Sequence, residues 1–161
     1  MAARKPIVLI GGQPQELPTG DTLAAGVSEV DVIARTNANA GALVKGTPVY
    51  SSAAGSMDKA AASAVGTKRV LGLVADTSVA AAASGFVQTD GILTASTAEW
   101  DAVAGTTGGL VAGTIYFLSA TAGLITATPP ATAGQYVCEV GMALSTTELE
   151  IDTDRIGYLL A

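Results

Sequence analysis

The chain contains no histidine and a single cysteine, Cys138, and only 4% of its 161 residues are aromatic. Imidazole, thiolate and clustered carboxylates are the groups that titrate near neutral pH or ligate metals well, so their scarcity argues against general acid/base and metal chemistry. No catalytic residue, no metal-ligand set and no cofactor are expected, and the chain reads as a non-enzyme. A lone thiol forms no disulfide within the chain, which fits assembly in a reducing cytoplasm. Cations are scarce as well: 8 Lys and Arg stand against 14 Asp and Glu, for a net charge of −6. The only basic clusters are the pairs Arg4-Lys5 and Lys68-Arg69. Gripping a phosphate backbone takes several converging cations, so no nucleic-acid partner is expected. Long hydrophobic runs are missing too. The mean hydropathy is +0.46, yet no apolar stretch approaches the roughly 18 residues of a membrane span. The longest aliphatic run, Pro6 to Ile10, is strand-sized and too short after Arg4 and Lys5 for the apolar core of an export signal. Neither a membrane partner nor a signal peptide is expected.

What is present is small. Ala, Gly, Thr and Ser supply 79 of the 161 residues, which suits a chain whose product is shape and surface. Side chains this small bury little area each, and at about 25 cal/mol per Å² the core they form is expected to need contacts between subunits for stability.

Residues 1–26 differ from the rest and read as an extended N-terminal arm. RKPIVLI is one strand, GGQPQELPTG a turn-rich extended stretch, and DTLAAG the exit. Proline removes a ladder donor and glycine opens positive φ, so this stretch is neither a central strand nor a continuous helix. Its strand is expected to gain order by pairing with a sheet edge of its own subunit or a neighbour's. That makes Pro6, Ile7, Val8, Leu9, Ile10, Leu17 and Pro18 the candidate partner-binding residues.

From residue 27 to 161 the pattern is β. Short aliphatic and β-branched runs alternate with Gly, Ser, Thr and Ala at roughly ten-residue spacing, which predicts about eight strands in a small sandwich or barrel. VSEVDVIA alternates, with Val30 and Val32 on one face and Glu29 and Asp31 on the other. In ELEID, Leu149 and Ile151 point inward while Glu148, Glu150 and Asp152 point outward, a set that Asp154 extends. Four carboxylates at period two mark a solvated or partner-facing edge, and no Asp-x-Asp-x-Asp-Gly loop accompanies them to hold calcium. GTPVYSSAAGSMDKA and GTIYFLSATAGLITA each read as a β-hairpin. One short helix is expected, capped by Ser96 or Thr97, with Glu99 in its first turn, Trp100 and Val103 on one face, and a stop at Gly105. MDKAAASAV, residues 57–65, reads as a loop or single turn. The Gly-rich stretch 104–113 lacks the Lys-Ser/Thr of a phosphate loop and reads as a connection. Tyr50, Phe86, Tyr116, Phe117 and Tyr136 read as core residues, Cys138 as a buried inert thiol, and Asp21, Asp76 and Asp90 as turn formers.

Two sets of residues resemble virion proteins of tailed bacteriophages. IVLIGGQPQELPTGDTL, residues 7–23, is similar to a segment of the form strand, Gly, polar, Leu-Pro-x-Gly-Asp-x-Leu found in fibres and head-decoration proteins. GTPVYSS, VLGLVAD, GFVQTDGILT, GTIYFLSATAGLIT and YVCEVGMALSTTELEID, in that order, resemble the small β domain of capsid-decoration (cement) and tail-fibre proteins. The resemblance implies a virion protein on the capsid exterior, assembled in the host cytoplasm, that binds the outer surface of the major capsid protein as a homotrimer and stabilises the head. None of the motifs carries a catalytic residue. A tail or neck appendage, or a fibre-associated protein, is the alternative within the virion, and a carbohydrate-binding adhesin module the alternative outside it.

Overall fold

The computed structural model describes the backbone of residues 7–10 and 13–16, and backbone and side chains of 31–153 and 157–160. In chain order the elements are β1 (Ile7–Ile10), β2 (Gln13–Glu16), β3 (Val32–Asn37), β4 (Leu43–Val44), β5 (Pro48–Ala53), β6 (Ser56–Lys59), β7 (Gly72–Val74), β8 (Ser78–Val79), β9 (Ser84–Gln88), β10 (Gly91–Thr94), α1 (Thr97–Ala104), β11 (Ile115–Leu118), β12 (Ile125–Thr126), β13 (Tyr136–Val137), β14 (Glu139–Ala143), β15 (Glu148–Ile151) and β16 (Tyr158–Leu159). The fold is all-β with one short helix, as the alternation of short apolar runs and turn residues predicts. The strands are shorter and more numerous than expected, because turns and bulges divide the apolar runs. No helix among the described residues is long and apolar enough to cross a membrane.

The main body combines a barrel and an open sheet. The barrel closes in the order β3-β6-β5-β7-β9, with β9 returning to β3. Every pairing in it is antiparallel except β3 with β6. Leu43, Val49, Met57, Val74, Val79 and Val87 form one buried cluster on this barrel. The second sheet runs β10-β15-β14-β11-β12, and its inner face supplies Leu93, Leu149, Ile151, Val140, Tyr116 and Leu118 to a larger cluster that also takes Trp100 and Val103 from α1. Strand β7 joins the two, since Leu73 belongs to the larger cluster and its neighbour Val74 to the barrel cluster. Successive side chains of a strand face opposite ways, so this one strand is buried on both sides. Both hairpins read from the sequence are present, as β5 with β6 and β11 with β12.

The helix is set by its caps. Ser96 receives the Glu99 backbone N–H, and the Glu99 carboxylate receives the Ser96 N–H at 2.8 Å, completing a capping box. Those bonds, the Ser96 backbone N–H first and its hydroxyl second, hold the Glu99 carboxyl below its ordinary value. Gly105 ends the helix in the left-handed conformation. Trp100 is fully buried, and its indole N–H donates to the Thr147 carbonyl at 3.0 Å, which ties α1 to the turn before β15.

Four expectations are corrected. Val32 faces outward and is about half exposed, while Ile33 is on the barrel side. The phase is set at the far end of β3, where Asn37 is buried and its amide donates to the carbonyls of Gly41, Val79 and Ala80. Val30 and Glu29 lie outside the described residues. Residues 57–59 belong to β6, not to a loop, because Met57 fills the barrel core while its backbone is paired. Phe86 is 51% exposed, since Gly85 and Val87 hold the inward positions of β9. Strand β15 is no edge: it sits between β10 and β14.

Candidate functional site

Of the expected partner-binding residues, Pro6, Leu17 and Pro18 lie outside the described residues, as do the arm's boundary at 26 and Asp21 and Asp154. Ile7, Val8, Leu9 and Ile10 form β1, whose partner is the chain's own β2 in an antiparallel hairpin with Leu9 opposite Pro14. The expected strand is present, but GGQPQE contributes a strand of its own where only a turn-rich stretch was predicted. The hairpin is a separate two-stranded sheet and adds to neither the barrel nor the larger sheet. Pro14 is compatible with this place because β2 borders no further strand and needs no second row of donors.

The outer face of the larger sheet gathers residues from four strands. Register aligns Ile92 with Glu150, Glu150 with Met142, and Met142 with Ile115, so these four side chains form one row across β10, β15, β14 and β11. Beside it, Leu144 accompanies Glu148 through the bond from the Leu144 N–H to the Glu148 carbonyl, 2.9 Å. Ile92, Ile115, Met142 and Leu144 are each 38–41% exposed. Isolated exposed aliphatics are ordinary; here Met142 and Ile115 adjoin, and Glu150 stands between them and Ile92, so the face mixes aliphatic and acidic side chains. A groove of about 380 Å³ runs along this face, lined by Asp90, Ile115, Glu139, Met142, Glu150, Ile151 and Asp152. It carries four carboxylates and, among the described residues, no cation. The Asp90 carboxylate caps the turn into β10 by accepting the Gly91 N–H at 2.8 Å, and Glu148 accepts the Ser145 hydroxyl at 3.0 Å. Gly141 makes the packing of β14 on β15 possible, since a Cβ there would collide with the Glu150 carbonyl.

The acidic set read from ELEID therefore faces outward on an interior strand and is interleaved with aliphatics from neighbouring strands. The aliphatics themselves were not singled out in the sequence. In runs such as IYFL and GMAL, outward and inward positions are equally apolar, and the carboxylates Glu139 and Glu150 mark which side is wet. Among the described residues no three carboxylates or thiols converge closely enough to hold a metal ion.

The Gly-rich connection after α1 has its own anion. The Asp101 carboxylate accepts the backbone N–H groups of Gly108 and Gly109 at 3.0 and 2.8 Å and the Thr106 hydroxyl at 2.8 Å. The Gly109 N–H is the main reason the Asp101 carboxyl lies below its ordinary value, with Thr106 and Gly108 adding to it. The amides that would cradle a phosphate are already occupied. Elsewhere Tyr116 is fully buried and its phenol oxygen accepts the Val111 N–H at 3.2 Å. The ring of Tyr136 lies 4.2 Å from the buried Lys68 ammonium, a cation–π contact. Cys138 is buried and makes no disulfide. A second groove, about 400 Å³, is lined by Tyr50, Ser51, Val65, Gly66, Arg69, Val70 and Leu71.

Compared with known proteins, the chain matches no protein-family model, and no curated protein matches it.

Proposed function

We propose that this chain is a virion structural protein that decorates and stabilises a bacteriophage capsid by binding the outer surface of the major capsid subunits as a homotrimer. The observation that carries the reading is the placement of the resembling motifs. GTPVYSS falls on β5, VLGLVAD on β7, GFVQTDGILT on β9 and β10, GTIYFLSATAGLIT on β11 and β12, and YVCEVGMALSTTELEID on β13 to β15. Together they supply strands to both the barrel and the larger sheet, so the resemblance extends through the body and is not confined to one loop. The exposed aliphatics Ile92, Met142, Ile115 and Leu144, set among carboxylates on one sheet face, support a protein whose work is contact with other proteins.

Copy number in purified particles tests the proposal. A stained gel of particles from the phage encoding the chain is expected to show copies on the order of hundreds, as a lattice-wide symmetric component requires. A few copies to a few dozen would replace decoration with a tail or neck appendage, and absence from particles would overturn the virion reading. The groove beside Tyr50 and Arg69 favours a second reading, an adhesin module, because an aromatic ring and a guanidinium suit stacking and charge contacts with an acidic saccharide. Binding of glucuronate-containing oligosaccharides that is lost in Tyr50→Ala and Arg69→Ala would support it.

A further inference from the structure

We infer that the acidic, apolar outer face of the larger sheet is the docking surface for the N-terminal hairpin of a second copy of this chain, with Arg4 and Lys5 meeting Glu150, Asp152 and Asp90. Three observations converge on this occupant. First, the hairpin β1-β2 forms a sheet by itself, and an isolated two-stranded hairpin is marginal in water until something covers a face of it. Second, the surface and the segment are complementary. The groove lines Ile115 and Met142 with the carboxylates of Asp90, Glu150 and Asp152, while the segment RKPIVLI places two of the chain's 8 cations one proline ahead of four consecutive aliphatic residues. The other cation pair, Lys68-Arg69, also precedes an aliphatic run, but that run enters β7 of the barrel and Lys68 is buried. Third, the connection is long. The 14 residues 17–30 reach at most roughly 46 Å when extended, against a radius of gyration of roughly 14 Å for a body of this size. A neighbour's face is within range.

The inference goes beyond capsid decoration and does not depend on it, because it concerns the purified chain in the absence of particles. It predicts an oligomer that weakens with salt, since much of the contact is between exposed charges. The test is the mass of the full-length protein by light scattering over a wide dilution series, with folding followed by circular dichroism. The wild type is expected to be oligomeric. The double variants Arg4→Glu/Lys5→Glu and Glu150→Lys/Asp152→Lys, all at surface or arm positions, are each expected to weaken association at least about tenfold with an unchanged spectrum. Combining the two charge reversals is expected to restore the oligomer. A monomeric wild type at every concentration overturns the inference, with salt-sensitive stability then pointing to the chain's own hairpin on the face. An oligomer indifferent to either reversal, or not restored by the combination, also overturns it. The copy-number measurement on particles is untouched by these outcomes, so the two readings fail separately.

Discussion

Trp100 concentrates more of the buried area than any other side chain in a protein built from Ala, Gly, Ser and Thr. Its ring is fully buried in the larger cluster with Val103, and its single polar atom is satisfied by the Thr147 carbonyl. Trp100→Ala is expected to cost about 3–5 kcal/mol, and Trp100→Phe about 1–2 kcal/mol because the Thr147 carbonyl loses its donor. Urea midpoints with an unchanged slope would measure both, and a red, readily quenched Trp100 emission in the wild type would contradict them. The shared face of Trp100 and Val103, a cap at Ser96 or Thr97 and the stop at Gly105 were legible in the sequence because caps act over three or four residues, and the structure takes Ser96 as the cap. Asn37 was not legible. It is buried because carbonyls at Gly41, Val79 and Ala80, up to 43 positions away, meet its amide, and no local pattern encodes that meeting. Its burial fixes the phase of β3 and turns Val32 outward, against the hydrophobic alternation.

Helix α1 and the loop after it depend on two carboxylates, and so on pH. Glu99 is held below its ordinary value by the Ser96 backbone N–H, and Asp101 by the Gly109 N–H. A depressed folded-state value means the stabilisation is fully present above the unfolded value and is lost as pH falls through the folded one. Stability is therefore expected to decline from about pH 4 downward, and the double variant Glu99→Gln/Asp101→Asn is expected to flatten that limb of a stability-against-pH curve. An acid limb of equal steepness in the variant would remove these two groups as its cause. The hairpins β5-β6 and β11-β12 and the inward Leu149 and Ile151 of β15 were legible from turn glycines and period-two alternation. The gathering of Ile92, Met142 and Ile115 with Glu150 on one face was not, because it is made by register between strands separated in sequence. The same limit hid the interior place of β15, since an outward row of acids looks alike on an edge and in mid-sheet.

Barrel and sheet together make a body, and the N-terminal segment holds the candidate partner-binding residues Pro6 to Ile10, Leu17 and Pro18. Deleting residues 2–20 is expected to leave the β spectrum of the body intact while removing particle binding; a truncated protein that still decorates at normal occupancy would place the contact on the body. All-β character was readable from composition and spacing, whereas the division into a closed ring and an open sheet was not, because both use the same strand signals. The ring has a mechanical consequence. Strand β3 follows the N-terminal segment directly and is held on one flank by β6 and on the other by β9, with five register pairs to β9 alone. A pull applied along the axis of β3 puts its ladder bonds in shear, where they must yield together. At the other end of the chain, β16 is held to β13 by only two register pairs and can peel away one bond at a time. Forced unfolding is governed by the rate of crossing such barriers and not by equilibrium stability. Single-molecule pulling with handles before Val32 and before Ser84, at opposite ends of the β3-β9 ladder, is expected to need a higher force than handles that unzip β16 from β13.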